Sequence, residues 1–456
     1  MLPYFDPEYE NFNQRINPPR KVVILQGRCS LIISSLFAFG FQVDSMNRNG
    51  ILLEVLQVLS DLDLHISKAY ITSDGGWFMD VFHCVDKQGQ KVTDEKTIKY
   101  IEKALGPESN LLGATKGSSS PGRSVGLHSI GDHTAIELKG PDRTGLLSEI
   151  FAVLAELQCN VLAAEMWTHR TRVACVVHVN DVSTGRAIGD GGDPRRLSRI
   201  EDRLRHVLRG GYGGGDALAA LANFAAGPTS HVDRRLHQLM HADVDVDVAQ
   251  ADGGEGGPTV TVEHCVEKSY SVVNVKCQDR SKLLYDIVCT LTDMEYVVFH
   301  AAVTSEASYG VQELYIRRKD GKTLSKDEAE KVIRCLEAAI SRRVCEGFTL
   351  ELCGRDRVGL LSDVTRVLRE HGLTVTRAGV TTVGQQAMNV FYVRDPSGKP
   401  VDMKTIEGLR GEVGQTLMLN VKSVPAPTVK PPEPARSGMA RTSFFSFGNI
   451  FAKLRA

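Results

Sequence analysis

The stretch AIELKGPDRTGLLSEIFAVLAEL, residues 135–157, decides the fold. Ala135 to Lys139 reads as a short strand, and Gly140 to Thr144 is a turn rich in Gly, Pro and Asp. From Leu146 to Leu157 the spacing becomes helical, with Leu147, Ile150, Leu154 and Leu157 on one face. Working outward, Val161 to Thr168 and Val173 to Val179 are two further strands joined by the tight connection HRT. Pro194 to Leu208 is a second amphipathic helix, with proline suited to its first turn. A final strand is expected after each second helix. The unit is then βαββαβ, an antiparallel four-stranded sheet with both helices on one face, and the fold class is α+β of the ferredoxin-like kind.

The turn recurs. NRNGIL starts at Asn47, DRTGLL at Asp142, DRSKLL at Asp279 and DRVGLL at Asp356, in gap-free registers of 95, 232 and 309. Under those shifts Leu59 falls on Leu154, Leu291 and Leu368, and Ala69 on Ala164, Ala301 and Ala378. Helix and strand positions stay in phase together, so the chain holds four copies of one module. The expected layout is an arm at 1–21, modules at 22–110, 132–210, 269–345 and 346–423, a linker at 111–131, a Gly-rich linker with a short helix at 211–268, and a tail at 424–456. A unit of about 70 residues is marginal alone. Side-by-side pairing, within the chain or in a homodimer, is therefore expected.

Composition narrows the function classes. Hydrophobic residues make up 42% and charged residues 24%, the balance of a folded globular chain. A formal net charge of −1 gives no global attraction to nucleic acid. The acidic N-terminus is unlike a secretory signal, and the apolar run Leu31 to Phe41 is too short to span a bilayer, so no stable membrane insertion is expected. The expected location is the cytoplasm, with the nucleus as a further compartment. Ten cysteines without a CxxC pair read as reduced, structural thiols. His237 and His241 have the i, i+4 spacing of metal ligands, but Gln238 stands where a metalloprotease motif needs Glu. These two and His231 read as solvated or capping histidines, Trp77 and Phe78 as buried, and GGYGGG from Gly210 as linker. No metal, cofactor or catalytic residue is expected, and the chain is read as a non-enzyme.

The DRTGLL and DRVGLL turns, SDGGWFMDVF from Ser73, RRLHQLMHAD from Arg234 and the FFSFGNIF tail together resemble the ACT domain repeat proteins of plants. The resemblance implies four ACT modules, no catalytic domain, and small ligands, usually free amino acids, bound where two modules meet. It implies an amino-acid sensor, with protein partners downstream. The alternative is an ACT-based scaffold that binds proteins and no ligand. Two departures stand out: Lys282 replaces the turn glycine in the third copy, and Asn47 replaces aspartate in the first. Arg28 to Gly40 is an apolar segment the family does not match.

The turn suits an amino acid because the first N–H groups of a helix lack intrahelical partners and the helix dipole favours a carboxylate there. Glycine lets a ligand approach the backbone, and the preceding acid can accept from an ammonium. The same residue types also serve as cap and turn. The candidate ligand-binding residues are Asn47, Gly50 and Ile51, then Asp142, Gly145 and Leu146, then Asp356, Gly359 and Leu360.

Overall fold

A computed structural model describes residues 21–25, 38–48, 50–74, 76–106, 133–188, 194–210, 221–224, 231–241, 257–265, 270–306, 308–320, 324–344, 347–397, 401–413 and 417–424. The FFSFGNIF tail, Cys29 and the glycine cluster beyond Gly210 lie outside these residues.

The first module comprises β1 (Lys21–Leu25), β2 (Phe39–Met46), α1 (Ile51–Asp61), β3 (His65–Asp74), β4 (Trp77–Val85) and α2 (Glu95–Leu105). The second comprises β5 (Thr134–Pro141), α3 (Leu146–Glu156), β6 (Cys159–His169), β7 (Arg172–Asp181), α4 (Pro194–Arg209) and β8 (Leu221–Phe224). A separate helix, α5 (Val232–His241), follows. The third module holds β9 (Thr259–Cys265), β10 (Tyr270–Gln278), α6 (Leu283–Asp293), β11 (Tyr296–Glu306), β12 (Tyr309–Arg318) and α7 (Lys326–Ser341). The fourth holds β13 (Gly347–Arg355), α8 (Leu360–Glu370), β14 (Thr374–Val383), β15 (Gln386–Arg394), α9 (Met403–Val413) and β16 (Met418–Val424). Of the unmatched segment Arg28 to Gly40, residues 38–40 are described, and Phe39 and Gly40 open β2.

The modules pair alternately. One eight-stranded sheet runs β1-β2-β4-β3-β11-β12-β10-β9 and the other β16-β13-β15-β14-β6-β7-β5-β8, every neighbour antiparallel. The first module therefore joins the third through β3 and β11, with His300 opposite Thr72, and the second joins the fourth through β6 and β14, with Arg377 opposite Trp167. Each sheet has one continuous apolar core drawn from both of its modules. The first helices α1 and α6 pack on each other as well as on the sheet, as do α3 and α8. That double burial is why α1 is apolar nearly all round, with Ile51, Leu52, Leu53, Val55, Leu56, Val58 and Leu59 all buried. Each such side chain contributes about 1.5–3 kcal/mol.

The expectation of a final strand after every second helix holds for the second and fourth modules, where β8 and β16 follow α4 and α9. In the first and third the fourth strand described comes from the other end. There the fourth strand precedes the module, β1 pairing with β2 and β9 with β10, to give ββαββα. Only residues 342–346 separate α7 from β13, too short a stretch to form another strand and return. Both β8 and β9 fall in the stretch 211–268, read from sequence as linker.

Helix α5 crosses between the two sheets' modules. Its Leu236, Leu239 and Met240 pack on Trp167, Ala174 and Val176. Those residues alternate along β6 and β7 with Met166, Val173, Cys175 and Val177 of the core, so they lie on the face opposite α3 and α4.

Candidate functional site

Four strand-to-helix turns share one construction. The first residue of each donates its backbone N–H to the tip of the neighbouring hairpin: Asn47 to Gly76 O (2.6 Å), Asp142 to Thr171 O (2.7 Å), Asp279 to Ser308 O (2.8 Å) and Asp356 to Gln385 O (2.8 Å). Three residues on, Gly50, Gly145, Lys282 and Gly359 stand at the N-caps of α1, α3, α6 and α8 with φ of +87°, +85°, +63° and +82°. Glycine takes this left-handed conformation freely, while a lysine does so at a cost of about 1–2 kcal/mol. No side chain caps any of these four helices. By contrast Asp94 caps α2, and a Ser325–Glu328 capping box closes α7. The turn aspartates are thus not helix caps, and the dipole-favoured end of each first helix is left without a side-chain acceptor.

A second constant of these turns lies beyond the six-residue pattern. Each arginine after the first residue pairs with an acid six positions on: Arg48 with Glu54 (2.6 Å), Arg143 with Glu149 (2.6 Å), Arg280 with Asp286 (2.8 Å) and Arg357 with Asp363 (2.5 Å). The pair bridges turn and helix and fixes the entry angle. Its signal is an acid two residues past the LL or IL pair in every copy, visible once the repeat is extended to eight residues.

The carboxylates of the turns meet different neighbours. Asp279 is bound by His65 Nε2 of the first module (3.1 Å) and by Ser305 Oγ. Asp356 accepts from Thr382 Oγ1 (3.3 Å). Burial pushes the Asp142 carboxyl up to about 6, against the opposing pull of the Arg143 backbone N–H and of Arg394. Ile51, Leu146 and Leu360 are core side chains, 2%, 2% and 3% exposed, and their backbone N–H groups donate to the carbonyls of Arg48 (3.2 Å), Arg143 (3.1 Å) and Arg357 (3.1 Å) within the turns.

Two turns are closed by their partner module and two are open. At the second turn a cavity of about 20 Å³ lies among Asp142, Gly145, Met166, Arg369 and Val375. A Cβ on Gly145 would lie 2.5 Å from Arg369 Cδ, and Thr144 Oγ1 is 3.2 Å from Thr374 Oγ1 of the fourth module. At the third turn a cavity of the same volume lies among Ser60, Ile66, Asp279, Lys282, Ser305 and Gln312. Each holds a water-sized group and no more. A Cβ on Gly50 or Gly359 would meet nothing within 4 Å. By the repeat register the counterpart of Arg369 is Ser60 in the first module, Ala155 in the second and Thr292 in the third, so only the fourth module has a long side chain there.

The third turn is tied to α5. Lys282 Nζ lies 2.9 Å from Asp233 Oδ2, which Arg343 also reaches at 3.0 Å. Arg343 grips Asp286 (2.9 Å), His237 Nε2 bonds the same carboxylate (2.8 Å), and the Arg343 guanidinium lies 4.3 Å over the Trp167 ring. Asp286 is held far below the usual carboxylate range by Arg343, Arg280 and His237, which together overcome its burial. Burial pulls His237 below the usual imidazole value. The reading as solvated or capping is corrected for two of the three histidines: His237 is 2% exposed, and His231 joins Asp61 (2.6 Å) to Tyr285 (3.1 Å). Among the described residues no cluster of His, Cys, Asp and Glu can hold a metal ion.

Comparison with known proteins matches residues 38–111 to the ACR family N-terminal ACT domain, residues 259–346 to an ACR9-like, ACT-like domain, and residues 134–189 and 348–411 to the ACT domain. The chain is 57% identical to ACT domain-containing protein ACR3 of Arabidopsis thaliana over 99% of this chain and 98% of that protein. It is 50% identical to ACR4 of the same plant, covering 98% and 95%, and 48% identical to ACR5, covering 98% and 97%.

Proposed function

Because the chain belongs to the ACT domain-containing ACR proteins, we propose that it is a non-enzymatic regulatory protein that binds free amino acids at the junctions between paired modules and senses their level. The observation that carries this reading is the pair of open, left-handed turns at Gly50 and Gly359, each at a helix N-terminus without a side-chain cap. A ligand carboxylate suits the helix end, and its ammonium suits Asn47 or Asp356. Ile51 and Leu360 contribute backbone N–H groups only once these leave the Arg48 and Arg357 carbonyls.

The second turn, with Asp142, Gly145 and Leu146, becomes a third site when Arg369 swings off Gly145. The third turn is self-satisfied: Lys282 occupies the glycine position and His65 the ammonium position. Occupancy signals only if the ligand favours one arrangement of the paired modules over another. No described helix is long and apolar enough to cross a membrane, which agrees with a regulator acting in the cytoplasm or nucleus.

The small volume of the second and third cavities favours a second reading, a scaffold that binds proteins and no ligand. Thermal unfolding against a panel of amino acids separates the two. A ligand at 100 times its Kd adds about 2.7 kcal/mol. A shift for the whole chain that Gly50→Val with Gly359→Val abolishes supports sensing. No shift at millimolar concentrations leaves the scaffold.

A further inference from the structure

One position on the core face of each module's third strand is polar or thiol in every copy. Asp80, Cys175, Gln312 and Asn389 follow the registers 95, 232 and 309, and are 0%, 1%, 2% and 1% exposed. Their register neighbours are apolar: Val43 and Ile71 beside Asp80, Leu138 and Met166 beside Cys175, Val275 and Val303 beside Gln312, Leu352 and Val380 beside Asn389. A core built this way has no use for a polar side chain, and leaving one unpaired is unfavourable. Yet Asp80 Oδ2, Gln312 Oε1 and both terminal atoms of Asn389 have no hydrogen-bond partner.

Gln312 indicates what the position faces. It lines the cavity at the third turn together with Asp279 and Lys282, and the equally buried, unpartnered Ser60 Oγ of the first module lines it from the other side. In the third copy the position is the floor beneath the turn, where a ligand held by its carboxylate and ammonium would place its side chain; the short Cys175 does not line the second cavity, and the register sets Asp80 and Asn389 at the same place in the two open copies. The two open copies carry matching floors. Asn389 offers an amide N–H and a carbonyl. Asp80 accepts the Thr72 backbone N–H at Oδ1 (3.2 Å) and leaves Oδ2 unpartnered, and burial pushes its carboxyl well above the usual carboxylate range.

We infer that this third-strand position selects the ligand's side chain, and that Asp80 and Asn389 fit the first and fourth sites to amino acids with an uncharged hydrogen-bonding side chain, a hydroxyl or a carboxamide. The inference rests on the amino-acid reading of the open turns. Both floors leave polar atoms unpaired against an aliphatic ligand side chain, and an aspartate ligand would set a second carboxyl beside Asp80.

The test is a thermal-shift and calorimetric titration of the full chain with serine, asparagine, leucine and aspartate, repeated on the Asp80→Leu, Asn389→Leu double variant. Wild type binds serine or asparagine at least about tenfold more tightly than leucine or aspartate, and the double variant reverses the preference toward leucine. Asn389→Leu alone leaves the ligand-free Tm equal or higher, since unpaired polar atoms are removed, whereas Asp80→Leu also strips the Thr72 N–H of its acceptor. Should the double variant not fold, Asp80→Ser and Asn389→Ser carry the same test, predicting a shift in the ratio of serine to asparagine affinity. Binding with side-chain preference unaltered by these changes overturns this inference alone, as does a wild-type preference for leucine. Absence of binding by every amino acid overturns the sensor reading with it.

Discussion

Lys282 Nζ stands 2.9 Å from Asp233 Oδ2, joining the turn of the third module to a helix that lies between the modules in sequence. The contact explains why this copy alone gave up glycine. A side chain had to leave the turn to reach α5, and the left-handed backbone was kept at φ +63° to aim it. The third repeat exchanged an open turn for an internal anchor. Beside it Arg343, Asp286 and His237 are buried, and Arg280 is half-buried.

Lys282→Gly is expected to relieve backbone strain of about 1–2 kcal/mol while leaving Asp233 with Arg343 as its remaining close cation, for a net loss of about 1–3 kcal/mol. Lys282→Ala loses the ion pair and keeps the strain, so it falls about 1 kcal/mol further. Urea unfolding of both variants checks the order. Alanine equal to or better than glycine would contradict the backbone argument.

Asp286→Asn takes the shared carboxylate from Arg343, which keeps Asp233, and from the half-buried Arg280, at a cost of about 3–5 kcal/mol at neutral pH. The folded pKa of Asp286 is depressed, so its contribution is fully present above the unfolded carboxylate value and is lost as pH falls through the lower folded one. The gap between variant and wild type therefore stays constant from pH 7 to about 5 and closes only in strong acid. Stability measured from pH 7 down to 3 tests this.

Asp142 has the opposite sign. Its folded pKa of about 6 exceeds the ordinary aspartate value of 3.8, so ionising it opposes folding above pH 6, and that penalty fades as pH falls toward 4. Asp142→Asn is expected to stabilise by about 1–3 kcal/mol at pH 8 and by nothing at pH 4. Denaturation at the two pH values reads the difference directly.

Gly359→Ala places a Cβ in open space at φ +82°, so it pays only backbone strain of about 1 kcal/mol. Gly145→Ala adds a collision with Arg369 Cδ at 2.5 Å and costs more. Arg369→Ala removes that excess in the double variant and has no such effect on Gly359→Ala. A double-mutant cycle by thermal unfolding measures the coupling.

The sequence alone was enough for the module and its count. Period-2 and period-3.6 patterns mark strands and helices, and a glycine before LL marks the left-handed turn, because these are local properties of backbone and solvent exposure. The Gly145 and Gly359 turns form as that pattern requires. The acid six residues after each arginine was legible too, in a window two residues wider. Tertiary structure decided the rest. Which modules pair is settled by edge strands such as β3 and β11, whose main-chain hydrogen bonds carry no side-chain signature. Whether a fourth strand comes before or after its module is likewise silent in a short stretch like KVVIL at Lys21–Leu25. The burial of His237 and the partner of Lys282 depend on α5 meeting residues 49 positions away, and the openness of Gly359 against the closure of Gly145 depends on a single side chain from another module. Contacts of that kind arise only when distant segments are brought together, so no local reading of the chain contains them.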